Sequence, residues 1–155
     1  MLRMSKLTDY GTMVLAQLSA NTGRLTTTGQ VADATHLGQP TVSKLLKSLV
    51  RAGLVASTRG VQGGYALARP AESISAAEII DALEGPVALT ECSSAGGCCD
   101  LESFCRVGTA WQRINRSIRA ALQNVTLADL QHRREPLPPP NLAAEIDRPA
   151  PRERH

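Results

Sequence analysis

The stretch STRGVQGGYALARP, residues 57–70, places three glycines within five positions, between two short segments of strand composition. Residues 54–58 and 65–68 are the predicted strands, each bounded by turn residues. Glycine adopts positive φ angles without steric cost, so residues 59–64 predict a turn and a protruding hairpin tip. The predicted hairpin restricts the possible folds more than any of the predicted helices does.

Three helical patterns precede the hairpin, at about residues 5–20, near residues 29–34 and from Pro40 to Gly53. Proline suits the first turn of a helix because the N–H that it lacks would have no partner there. The third pattern carries one apolar stripe with cations on its opposite side. The stripe consists of Val42, Leu45, Leu46 and Leu49. The order of elements predicts a mainly α protein with a small β-hairpin wing, a winged helix-turn-helix.

Charge is distributed unevenly along the chain. Residues 1–70 carry eight basic and two acidic side chains, a net of +6, whereas residues 71–102 carry seven acidic side chains and no basic one. A polyanion is therefore expected to meet the first 70 residues. The 3% aromatic content excludes a stacking platform for single-stranded nucleic acid. No apolar run reaches membrane-spanning length and no secretory signal is present, so we expect a soluble, cytoplasmic protein without membrane contact.

The predicted DNA-binding residues lie on the third helix and on the wing. Lysine and arginine on the outward face of the helix can meet phosphates or base edges in a major groove. An arginine at the wing tip can enter the narrower minor groove. The predicted set is Thr41, Ser43, Lys44, Lys47, Arg51, Arg59 and Gln62.

The sequence divides into five predicted parts. They are a DNA-binding domain at 1–70, a connecting helix at 71–89, a cysteine loop at 90–108, a dimerisation helix at 109–131 and a disordered tail at 132–155. The tail contains six of the nine prolines and few large apolar residues, so it cannot bury enough surface to offset its ordering entropy.

In the last helix, the apolar stripe must cover either its own core or a twin helix. That stripe is Trp111, Ile114, Ile118, Leu122 and Val125.

All four cysteines, Cys92, Cys98, Cys99 and Cys105, fall within fourteen positions in the pattern C-x5-C-C-x5-C. Such clustering indicates metal binding or redox chemistry rather than structural disulfides in a cytoplasmic protein. The spacing differs from the paired knuckles of zinc ribbons, and soft thiolates also suit iron–sulfur clusters. Adjacent cysteines do not both reach one cluster, so three thiolates are the expected maximum and a fourth ligand must come from elsewhere.

Several motifs together resemble the Rrf-two family of winged-helix transcription regulators, over residues 1–131. The motifs are TDYG at 8–11, KSLVRAGLV at 47–55, the hairpin segment at 57–70, ISAAEIIDALEG at 74–85 and NVTLADL at 124–130. The start of the cysteine loop, TEC, and the helix WQRINRSIRAAL are most similar to the branch that regulates the SUF iron–sulfur assembly operon. The resemblance implies a homodimer that binds an iron–sulfur cluster and double-stranded operator DNA, with a DNA affinity that changes when the cluster is lost, oxidised or nitrosylated.

The resemblance also implies a ligand set of Cys92, Cys99 and Cys105. Counting forward from Cys92 selects Cys98 instead of Cys99, and this alternative stays open. The cluster that the resemblance implies is of the 2Fe–2S or the 4Fe–4S type. The ligating histidine of the Isc-type branch is absent, because Gly108 stands at that position. Asp9 matches a carboxylate that the nitric-oxide-sensing branch supplies from the partner subunit, which makes it the candidate fourth ligand.

The sequence therefore predicts a non-enzymatic repressor of SUF-type iron–sulfur assembly genes. Ser43 stands where the Isc-type branch bears an acidic side chain, so an operator different from the Isc-type one is expected. Three alternatives remain: a nitric-oxide or redox sensor of the same family that controls other genes, a metal-free thiol–disulfide switch, and a small iron–sulfur electron-transfer protein.

Overall fold

The computed structural model describes residues 5–88 and 108–131. This part of the chain is mostly helical with one two-stranded antiparallel hairpin, which confirms the predicted fold class. The elements are α1 (Lys6–Ala20), α2 (Thr28–Thr35), α3 (Gln39–Arg51), β1 (Val55–Thr58), β2 (Gly64–Leu67), a 3₁₀ turn (Ala71–Ser73), α4 (Ala76–Leu83), α5 (Gly108–Gln123) and α6 (Leu127–Gln131).

Side-chain caps determine where two of these helices begin. Thr27 accepts a hydrogen bond from Gln30 N at 3.3 Å, and Thr27 N donates to Gln30 Oε1 at 2.9 Å, which is a capping box at the start of α2. Ser75 and Glu78 form the same arrangement at the start of α4. Ser75 is the cap because a glutamate stands three residues after it.

The core forms around the apolar stripe of α3. All four side chains of the stripe are at most 2% exposed, and they pack with apolar residues of α1 and α2. These neighbours are Val14, Leu15 and Leu18 of α1 with Val31 and Ala32 of α2. The predicted stripe is confirmed, and its burial leaves the opposite side of α3 facing solvent.

The C-terminal helices join this core through main-chain and charged contacts. Leu127 N donates to Ile74 O at 2.7 Å, and the Leu127 side chain is completely buried. Arg119 of α5 makes a two-pronged ion pair with Asp81 of α4, at 2.6 and 3.1 Å. Gly11 of α1 lies so close to α4 that a Cβ there would stand 2.3 Å from Leu83 Cδ1.

Some sequence predictions differ slightly from the structure or lie outside the part that it describes. β1 begins one residue later than the predicted 54–58, and β2 is shifted one residue toward the N-terminus from 65–68, because the paired register runs from Val55↔Leu67 to Thr58↔Gly64. The tail at 132–155 and nearly all of the loop at 90–108 lie outside the described residues. The division into five parts stays a prediction. Within residues 5–88 and 108–131, no helix is both long and apolar enough to cross a membrane.

Replacing Leu46 by alanine tests the central role of the α3 stripe. Because Leu46 is completely buried, we expect Leu46→Ala to lower the free energy of unfolding by about 2–5 kcal/mol. The matched control, Lys44→Ala, removes an exposed side chain of the same helix and should change it by less than about 0.5 kcal/mol. Urea denaturation followed by circular dichroism measures both; equal effects would contradict this description of the core.

Candidate nucleic-acid interface

The turn between α2 and α3 sets the orientation of α3 relative to α2. His36 ends α2 in the left-handed conformation, with φ of 56°, and Leu37 N donates to Ala32 O at 3.2 Å. Gly38 then precedes α3, and Pro40 lies in its first turn. A single left-handed residue reverses the chain within a few positions, as a helix-turn-helix requires.

The outward side of α3 carries three of the predicted DNA-binding residues. Lys44, Lys47 and Arg51 are all exposed, and their spacings of three and four place them on one face, opposite the buried stripe. Thr41 and Ser43 are half-buried on the flanks of that face. We call the surface formed by these five residues the α3 face.

The cations of the α3 face are not used in ion pairs within the described part of the chain. The ion pairs formed there join Arg69 to Glu78 and Arg119 to Asp81. The charge of Lys44, Lys47 and Arg51 therefore remains available to phosphates, which are the main source of affinity for duplex DNA.

The hairpin forms the predicted wing beside α3. Arg59 and Gln62 are exposed in the turn that joins β1 to β2. Gly60 adopts a φ of 118°, and Gly63 N donates to Gly60 O at 2.9 Å. A Cβ at Gly63 would lie 2.3 Å from Thr58 O, so only glycine fits there. The turn therefore presents Arg59 and Gln62 on a tightly bonded backbone.

Two features of the wing were not found by sequence reasoning. Val61 at the tip is fully exposed, although apolar residues seldom favour such a position. Thr26 forms an isolated antiparallel bridge with Tyr65, so a third strand-like segment joins the hairpin. The sequence signal for this segment is the run of β-branched residues at 26–28, which leads into the first residue of α2.

Asp9, the candidate ligand on α1, is exposed at the edge of an apolar groove of about 550 Å³. The groove lies between α1, α4, α6 and the C-terminal end of α5. Its walls include Met13, Ile79, Ile80, Leu122, Val125 and Leu130. Sequence reasoning identified Leu122 and Val125 as parts of a stripe but did not place them beside Asp9.

The carboxylate of Glu84 connects the end of α4 to the start of α1. Glu84 Oε1 accepts hydrogen bonds from Ser5 N and Ser5 Oγ, both at 2.9 Å, and from the hydroxyl of Thr8. The Thr8 hydrogen bond, followed by those from Ser5, holds the pKa of Glu84 below its usual value. The residue before Asp9 is thereby tied to the helix that leads into the cysteine segment.

The cysteines themselves, Cys92, Cys98, Cys99 and Cys105, lie outside the described residues. Within the ranges 5–88 and 108–131, no three side chains of histidine, cysteine, aspartate or glutamate gather as a metal site. The predicted ligand set is therefore untested by the geometry and stays a prediction.

A helix-turn-helix with an adjacent wing and an exposed cationic face has the form of a duplex-DNA reader. The family model described as "Rrf2: Iron-dependent Transcriptional regulator" matches residues 4–133. The chain belongs to the Rrf2 family. Rrf2 regulators bind DNA and are typically dimers, so the chain is a DNA-binding transcription regulator by family.

Solved structures of this family are similar to the chain over most of their length. CymR, the global cysteine regulator of B. subtilis, is 30% identical, with 84% of this chain and 97% of that chain covered at a TM-score of 0.64. IscR of T. potens is 31% identical, with 83% and 85% covered at a TM-score of 0.61. CymR of Staphylococcus aureus is 29% identical, with 85% and 100% covered at a TM-score of 0.59.

Substitution of Lys47 tests the α3 face. We expect Lys47→Ala to weaken binding to all duplex sequences by a similar factor and to reduce the slope of log affinity against log salt by about 1, because one phosphate contact is lost. Arg116→Ala is the control, since it removes an equal charge from the exposed side of α5. Fluorescence anisotropy over a salt series measures the slopes; the same loss in both variants would indicate a nonspecific charge effect.

Proposed function

We propose that the chain is a homodimeric, iron–sulfur-binding repressor of SUF-type iron–sulfur assembly genes, with a DNA affinity set by the state of its cluster. The observation that carries the DNA-binding part is the exposed α3 face beside the wing, whose cations form no ion pair with other described residues. The family description, an iron-dependent transcriptional regulator, supports the involvement of iron. The TEC start of the loop and the sequence of α5 support the SUF branch.

The apolar stripe of α5 supports a dimer. Trp111 and Ile114 are 43% and 45% exposed, and Ile118 and Leu122 are only half-buried. Asn115 is the buried residue of this helix, so α5 covers little of its own core. A long helix with its apolar side in water gains stability by packing on a second copy, as in antiparallel or parallel helix pairs.

The groove beside Asp9 supports the predicted fourth ligand. Leu122, near the end of α5, and Val125, just beyond it, also line the groove at whose edge Asp9 lies. The proposed dimer surface is therefore continuous with the surface around Asp9. If a second copy packs on this surface, part of one subunit lies close to Asp9 of the other subunit. We propose on this basis that Asp9 is a ligand contributed across the dimer.

The donor chemistry of the cysteine segment fits an iron–sulfur cluster. All four thiols belong to the segment that leaves α4 after Leu83 and enters α5 at Gly108. Thiolates are the usual ligands of such clusters, and a carboxylate oxygen is a weaker, more exchangeable one. Cys92, Cys99 and Cys105 are the proposed thiolate ligands, with Cys98 as the alternative to Cys99. When bound, the cluster would supply a centre that oxidation or nitric oxide can alter.

The proposed regulation acts through the spacing of the two α3 helices in the dimer. A dimer reads two half-sites about one helical turn of DNA apart, so the two α3 faces must stand at a matching distance. Ligands from the cysteine segment and from Asp9 of the partner subunit would fix that distance. A change in spacing alters how many phosphates are neutralised together, and affinity depends steeply on this number.

Two other functions are weighed against this proposal. A metal-free thiol switch is favoured by the similarity to CymR, which is described as a cysteine regulator. It predicts an iron-free protein whose DNA affinity responds to thiol oxidation alone. An electron-transfer protein would have no need of the exposed, cationic α3 face and would not bind duplex DNA.

Anaerobic purification followed by iron and sulfide assays tests the cluster. We expect a visible absorption band in the wild type that is lost in Cys92→Ala and Cys105→Ala, together with changed operator affinity, because each variant removes a ligand. Comparison of Cys98→Ala with Cys99→Ala identifies the middle ligand. Asp9→Asn should destabilise the cluster, whereas the control Asp33→Asn, on the exposed surface of α2, should not. Colourless, iron-free wild-type protein would support the thiol switch instead.

Replacing Ile114 by aspartate tests the dimer. A charge in the middle of the exposed α5 stripe cannot be buried against a second copy without a large desolvation cost. We expect Ile114→Asp to be monomeric by sedimentation velocity at concentrations where the wild type is a dimer. Thr109→Asp, on an exposed residue near the start of the same helix, is the control and should remain dimeric. A monomeric wild type would overturn the proposed arrangement.

A further inference from the structure

We infer that Gly64 and Thr26 fix the angle of the wing against the helix-turn-helix, and that Gly64 is a positioning residue for DNA binding. The inference rests on the DNA-binding part of the proposed function and is independent of the cluster. Neither residue belongs to the α3 face or to the wing tip, so each would act only through the residues that it places.

The first support is a pair of main-chain hydrogen bonds. Thr26 N donates to Tyr65 O, and Tyr65 N donates to Thr26 O, both at 2.9 Å. Thr26 is buried, and the next residue, Thr27, caps α2. The middle of β2 is therefore bonded directly to the residue that precedes the helix-turn-helix. Two antiparallel bonds restrain both the separation and the direction of the two segments.

The second support is the close packing at Gly64. A Cβ on Gly64 would lie 3.0 Å from Thr26 O, 3.1 Å from Thr26 C and 3.2 Å from Leu25 Cβ. Two of these atoms belong to the backbone and cannot move away by side-chain rotation. A side chain at this position therefore requires β2 and Thr26 to separate by a few tenths of an ångström. Glycine here permits the close approach of two backbones, and its φ is not in the left-handed region.

The third support is the stiffness of the turn above Gly64. Gly64 pairs with Thr58 in the last step of the ladder before the tip. Because Gly63 is closely packed against Thr58 O, the turn has little room to absorb a displacement. A shift of β2 is therefore carried to Arg59 and Gln62. The α3 stripe, which is held by α1 and α2, is expected to keep its place.

A double-mutant cycle between Gly64→Ala and Arg59→Ala tests this inference. The probe is a labelled duplex that the wild-type dimer selects from a random library, and affinities are measured over a salt series. We expect Gly64→Ala to bind about tenfold more weakly and to lower the salt slope as much as Arg59→Ala does, since a displaced wing loses the same contact. The double variant should bind within about twofold of Arg59→Ala alone, because the contact can be lost only once.

Control variants separate wing position from stability. Gly23→Ala introduces a side chain at a φ of 82° with no atom within 4 Å, so it strains the fold without touching the wing. It should lower the melting temperature and leave the affinity unchanged. Lys47→Ala should retain its full effect in the Gly64→Ala background. Gly64→Ala places a small side chain against Thr26, and Gly64→Val places a larger one there. Affinities are compared only at temperatures where circular dichroism shows folded protein.

Two results would overturn the inference while leaving the proposed function intact. One is a double variant in which the loss of DNA affinity equals the product of the losses measured for Gly64→Ala and Arg59→Ala alone. The other is wild-type affinity in folded Gly64→Ala. If the wild type selects no duplex at all, the DNA-binding part of the proposed function fails together with the inference.

Discussion

Burial of the α3 stripe is the constraint on which the rest of the structure depends. Four aliphatic side chains of one helix are removed from water against α1 and α2, and this contact fixes how α3 is rotated about its axis. The rotation in turn brings Lys44, Lys47 and Arg51 to the surface. A change in the core would therefore alter the nucleic-acid surface even though no core residue reaches it.

Within the part of the chain that the structure describes, the carboxylates of α4 pair with partners other than the cations of the α3 face. Of the acidic residues in α4 and its end, Asp81 pairs with Arg119, Glu78 with Arg69, and Glu84 with the start of α1. The hydrogen bond from Ser75 N and the pairing with Arg69 hold the pKa of Glu78 below its usual value. These carboxylates are thus satisfied locally, while the cations of the α3 face keep their charge for a polyanion.

Helix α1 contributes residues both to the core beneath α3 and to the groove beside Asp9. Val14, Leu15 and Leu18 on one side enter the core beneath α3. Its first turns, with Thr8, Asp9 and Met13, face the groove formed with α4, α5 and α6. The close approach of Gly11 to Leu83 holds the helix against α4. Helix α1 therefore joins the groove, where a second copy is proposed to pack, to the core beneath α3.

The sequence by itself determined the helices, the wing and the orientation of the α3 stripe, because these follow from periodicity, caps and glycine turns that operate over a few residues. It also identified the cysteine cluster, whose ligand roles remain a prediction. Only the tertiary structure decided which distant residues come together: Thr26 pairs with Tyr65, the Glu84 carboxylate accepts from Ser5, and Asp9 shares a groove with Leu122. Contacts of this kind depend on how whole elements pack, and no local pattern of residues specifies them.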